Sequence, residues 1–365
     1  MGSPPDRAVV RYGPRVRAGW RGTADTPPLA GIASPAGVVV AAAAAVGWAI
    51  GLAVLQPLTE PSGPDAYAEN NTYWVRDLRF MAVVAIALGL ILAGRGDRWA
   101  TRAGVAAGAL WIGADVVLDR SDLAGWPAAG TLAALGCLAV GAVAAIQRRR
   151  AHRPRRRALV AVAAVGAALT PLAAMIESPT DTEPALTPAA LVVSGILLAL
   201  TVGAALAAGL AVPDGTDAAT PARLALAVTV LALGAAGLAW TRLVEPHERA
   251  PSLLLGIMLL AGLSLLSAHW PAGRPAWDAQ GATIAVLAIG YPVLTFFWMF
   301  LLMFGTPIAT LLTALAGSIP VNSADTDSLY ALVGSATGLT IGALLVTADR
   351  SPYAAGGSAA LPDGS

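Results

Sequence analysis

Two apolar runs, residues 128–146 and 158–176, meet at the segment QRRRAHRPRRR, residues 147–157, where seven of eleven positions are arginine. As helices rising 1.5 Å per residue, runs of about 19 residues match the roughly 30 Å of hydrocarbon in a bilayer. Arginine-rich short loops resist translocation, so this loop is expected on the cytoplasmic side, with the spans alternating outward from it. A nucleic-acid-binding basic patch is the competing reading. The lipid-type flanks argue against it, and no nucleic-acid partner is expected.

The same pattern extends along the chain. Only 12% of the 365 residues are charged and 56% are hydrophobic, whereas a soluble domain carries about 25% charged residues. Most of the chain therefore has no water to face. Strand-type alternation is absent, which argues against an outer-membrane barrel. The expected fold is all-α, a polytopic transmembrane helical bundle of about ten spans. They fall near residues 37–55, 80–93, 103–118, 128–146, 158–176, 188–212, 224–240, 252–268, 282–304 and 329–346. Thr170-Pro171 and Gly290-Tyr291-Pro292 are expected to bend the fifth and ninth of these.

Residues 281–320 form the difficult stretch, forty residues without a charge. One helix of that length would reach about 60 Å, twice the hydrocarbon thickness. Gly305-Thr306-Pro307 is the natural break. The remainder, residues 308–318, is too short to cross and is expected to form a short broken or interfacial helix. With ten spans, 18 of the 23 arginines lie inside and 14 of the 22 acidic residues lie outside, as the orientation rule requires.

Three regions follow: a flexible, arginine-containing cytoplasmic arm at 1–35, a single bundle at 36–347, and a flexible cytoplasmic tail at 348–365. Six tryptophans (Trp74, Trp99, Trp126, Trp240, Trp270 and Trp277) fall at predicted span ends, the headgroup level where indoles prefer to sit. Every basic residue is arginine and none is lysine. That bias reads as GC-rich codon usage and points to a bacterial plasma membrane. Arg102, Arg157 and Arg223 each open a hairpin. The series reads either as an internal repeat or as ordinary alternation under the orientation rule.

Metal and cofactor chemistry find no support. Cys137 is the only cysteine, and His152, His247 and His269 are far apart, so neither a disulfide nor a zinc centre is expected. Nothing resembles a P-loop, a GxSxG elbow, HExxH or CxxC. No cofactor is implied.

Three groups of residues are candidates for function. Glu69, Arg76, Asp77 and Arg79 precede or open the second span, and Asp115 lies one turn inside the outer end of the third. A carboxylate at such a depth is costly unless paired or hydrated. The group reads as an outward-opening polar pocket or as structural ion pairs closing the bundle. Tyr291, Thr295, Thr306 and Thr310 surround the bent and broken span, where backbone irregularity in membranes marks a cavity. The neighbouring run from Phe296 to Met303 reads more simply as packing. Gly334, Gly338 and Gly342 form a flat stripe at four-residue spacing, a seam for close helix packing either within the chain or in a homodimer.

Three function classes fit: a permease-like or membrane-complex component handling a small or lipidic molecule, a structural subunit bound to another membrane protein, and an outward-facing enzyme acting on a lipid-linked substrate through the first outer loop. Span centres free of ionisable residues weigh against ion-coupled transport. Expected partners are membrane lipid and, further, a membrane protein or a second copy.

Overall fold

The structure is a computed structural model that describes residues 28–59, 72–121, 123–150, 154–176, 183–211, 216–217, 220–245, 248–271, 276–306, 308–315 and 328–348. The described chain is an all-α bundle. α1 (Pro28–Ile50) continues through a π turn (Gly51–Leu55) into α2 (Gln56–Thr59). Then come α3 (Thr72–Ala93), α4 (Arg98–Asp119), α5 (Trp126–Arg148), α6 (Arg156–Met175), α7 (Glu183–Leu210) and α8 (Pro221–Thr241). A 3-10 turn (Ala250–Leu254) leads into α9 (Leu255–Ser267). α10 (Trp277–Phe300) ends in a second π turn (Leu301–Gly305), followed by α11 (Ile308–Leu315) and α12 (Leu329–Ala348). A two-residue antiparallel ladder joins β1 (Thr216–Asp217) to β2 (Trp270–Pro271).

Nine of the described helical segments are long and apolar enough to cross a membrane. α3 is a tenth of similar length, 22 residues, set apart by Arg76, Asp77 and Arg79 near its start. This is the architecture of a multi-pass membrane protein. The outward faces agree: Leu110 and Val117 of α4 and Ile289, Phe296 and Phe300 of α10 are all more than two-thirds exposed, a degree of apolar exposure that water would not tolerate.

Helix ends fall into two groups. At the arginine-rich end, the Arg155 N–H donates to the Arg95 carbonyl and Arg156 Nη2 donates to the Ser267 carbonyl. At the opposite end, Gly125 N–H donates to the Ala53 carbonyl, and an Arg242 guanidinium nitrogen donates to the carbonyl of Ala174. The six tryptophans lie at or within a few residues of element ends.

Several boundaries differ from the sequence reading. α1 starts at Pro28, inside the expected arm, and residues 1–27 lie outside the described residues, as does the tail beyond Ala348. The second span begins at Thr72, not near residue 80. The charges that made its first turns look like loop are paired inside the bundle, so they do not end the helix. α6 and α10 run uninterrupted through Pro171 and Pro292. The helix stops at Gly305 as expected, and α11 has only 8 residues, about 12 Å. Arg102 and Arg157 are exposed while Arg223 is buried, so the three hairpin arginines are not equivalent.

α6 is the axis of the bundle. Its apolar window is 83% buried, against 17% for α4 and α10. Alanine and glycine make this possible by letting backbones approach closely. A Cβ on Gly338 would lie 2.4 Å from the Cα of Val165, and one on Gly342 would lie 2.9 Å from the Cα of Ala161. The stripe of Gly334, Gly338 and Gly342 is thus occupied by α6 of the same chain, and a homodimer through this seam would have to displace it.

Candidate functional site

The opposite end of the bundle holds a buried charge cluster built by helical spacing. Arg76 and Arg79 of α3 are three residues apart and share a face; Asp115 and Asp119 of α4 are four apart and share another. Packing α3 on α4 interlocks the two pairs. Arg79 Nη2 lies 2.9 Å from Asp115 Oδ2, Arg79 Nη1 lies 3.3 Å from Asp119 Oδ1, and Arg76 Nη2 lies 3.0 Å from Asp119 Oδ2. The two guanidinium groups balance the two carboxylates, which is the condition for holding charge out of water. Arg79 is 1% exposed and Asp115 is 1% exposed.

α1 and α2 complete the cluster. Trp48 Nε1 donates to Asp115 Oδ1 at 2.7 Å. The Gln56 side chain donates to Asp119 and accepts from Arg79. Trp48 and Gln56 are eight residues apart, which on a regular helix places them about 80° apart. The π turn between them takes up about one extra residue and brings both onto the same face. Gly51, within that turn, leaves the space that Arg79 fills: a Cβ there would sit 2.6 Å from Arg79 Cγ.

Asp77 points another way. It is 2% exposed and accepts the N–H groups of Tyr330 and Ala331, at 3.2 and 2.9 Å. It thereby satisfies two of the free donors at the start of α12 and places a negative charge at the positive end of the helix dipole. Tyr330 stacks on Trp74 beside it, with ring centroids 5.9 Å apart.

An apolar groove of about 410 Å³ opens beside the cluster between α1 and α7. Gly47, Val54 and Val192 line it, and Leu58 and Trp126 stand at its exposed rim. Among the described residues, Arg79 is the only charged one in its wall. A second groove of about 410 Å³ runs between α4 and α5 over Trp48 and Trp111 and has no charged residue in its lining among the described residues.

Of the expected pocket, Arg76, Arg79 and Asp115 come together, Asp77 turns to α12, and Glu69 lies outside the described residues. Asp119, Gln56 and Trp48 were not among the expected members. The i, i+4 spacing of Asp115 and Asp119 was the available signal for the first; the other two depend on the π turn. In the second group, Tyr291 and Thr295 are buried one turn apart. Tyr291 Oη donates to the Ala168 carbonyl at 3.4 Å and Thr295 donates to the Tyr291 carbonyl at 2.8 Å. Thr306 follows the π turn that ends α10, and Thr310 lies on α11. Compared with known protein families, curated proteins and solved structures, the chain matches none of them.

Proposed function

We propose that this protein holds or passes a lipidic molecule taken in sideways from the bilayer through the groove beside Arg79. One observation carries the reading: the groove opens through exposed apolar residues on the flank of the bundle, and among the described residues of its wall the one charged residue, Arg79, belongs to a buried ion network. An apolar slot opening on the flank of the bundle suits the hydrocarbon body of an amphiphile. Such a molecule would pack beside the Arg79 side chain and leave its buried ion pairs intact. On this reading the protein sits in a bacterial plasma membrane with both termini cytoplasmic, in keeping with the arginine distribution.

Native mass spectrometry of protein extracted gently from its source membrane tests the proposal. A retained lipid is expected. Gly47→Leu narrows the groove at a position where an added Cβ meets nothing within 4 Å, so it should cut lipid retention about tenfold without lowering the melting temperature. Unchanged retention would remove the groove from the mechanism. A co-purifying protein in place of lipid would instead favour a partner-binding subunit.

A further inference from the structure

Resting on the groove beside Arg79 as a lipid site, we infer that its lipid is drawn from the leaflet opposite the arginine-rich end. The bound molecule lies with its glycerol end at Trp126 and Leu58 and its chain end at Gly47 and Val193.

The wall residues all come from the same end of their helices. Gly47 lies in the last turn of α1, and Leu58 follows the π turn in α2. Arg79 lies near the start of α3, and Trp126 opens α5. Ala185 and Val193 belong to the first part of α7. That helix runs on to Leu210 at the arginine-rich end, where the Gly209 carbonyl lies 3.2 Å from His269 Nε2. The groove is thus confined to the half of the bundle that holds the ion network.

Its depth fits one leaflet. The stretch from Gly47 to Leu58 rises about 16 Å as helix, close to the roughly 15 Å that half the hydrocarbon layer provides. Trp126 stands at the outer rim, 67% exposed, and indole rings settle at the headgroup level. Val192, beside Val193, is 56% exposed, so the groove stays open to the bilayer down to its deep end. Gly47 keeps that end clear, since a Cβ there would meet nothing within 4 Å. A chain can therefore slide in along its whole length while the head remains at the surface. A lipid of the other leaflet would reach the groove only with the tip of its chain, or would carry its polar head to the level of Gly47 and Val193 in the middle of the bilayer. The first forfeits most of the contact, and the second buries a polar group away from water.

Full-length protein in phosphatidylcholine liposomes provides the test. Phosphatidylcholine with a diazirine at its chain terminus is exchanged into one leaflet alone, the sample is irradiated on ice at once, and labelled peptides are mapped by mass spectrometry. External trypsin cuts at the exposed Arg148 and Arg149 where that end faces out, which tells the two orientations apart. Label at Val193 should be about tenfold or more stronger when the probe shares the leaflet of Trp126 than when it lies in the other. A diazirine beside the glycerol ester should mark Trp126 and Leu58 in place of Val193. Equal label from the two leaflets, or the reverse order along the groove, would overturn the inference while leaving the groove a lipid site. Gly47→Leu should remove most of the label at Val193 and spare that at Trp126. No label at Val193 from either leaflet, or label there that Gly47→Leu leaves unchanged, would instead overturn the reading of the groove itself, and the leaflet assignment with it.

Discussion

The carboxylate of Asp77 on α3 accepts the backbone N–H of Ala331 at 2.9 Å across 254 residues of chain. A side chain near the start of one helix thus acts as the N-terminal cap of another. The bond joins α3, which carries the ion network, to α12, whose glycine stripe packs on the central helix. Removing the negative charge should loosen the start of α12. Asp77→Asn is expected to lower stability by about 1–2 kcal/mol, read as a lower melting temperature in detergent by tryptophan fluorescence. An unchanged melt would mean that the cap contributes nothing.

Arg79 and Asp115 should be energetically coupled. Removing one partner leaves the other charge buried, so Asp115→Asn should cost about 3 kcal/mol, at the low end for a broken buried pair, because Arg79 keeps Asp119 and Gln56. The double variant Arg79→Met with Asp115→Leu should cost less than the sum of the singles. The expected coupling is about 2–3 kcal/mol. Additive effects in a double-mutant cycle would show that the 2.9 Å contact contributes little.

Gly338→Leu should fail for an intramolecular reason. The new side chain would start 2.4 Å from the Cα of Val165 and 2.8 Å from the carbonyl oxygen of Ala164. Backbone offers no room to give, so a loss of about 3 kcal/mol or more is expected. Size-exclusion chromatography should show lost yield and aggregation. A clean shift from dimer to monomer with an unchanged melt would instead place the stripe in an interface between copies.

Hydropathy and arginine placement were enough to read the helical class, the alternation of ends and the break after Gly305, because each depends on a window of neighbouring residues meeting lipid or water. The same local reading failed at α3. Arg76, Asp77 and Arg79 look like loop in any window, and only their partners on α4 and α12 make them helical and buried. Asp115 was legible as a carboxylate in need of a partner. Arg79 was one of several candidates; the structure selects it, with Trp48 and Gln56 added by the π turn in α1.

The sequence by itself determined that this chain is a bundle of membrane-type helices, since the cost of burying backbone in hydrocarbon is set residue by residue. Tertiary structure alone decided which charges meet, which helix fills the glycine stripe, and where the grooves open. Those outcomes depend on contacts between residues 36 to 254 positions apart, and no local property of the chain specifies them.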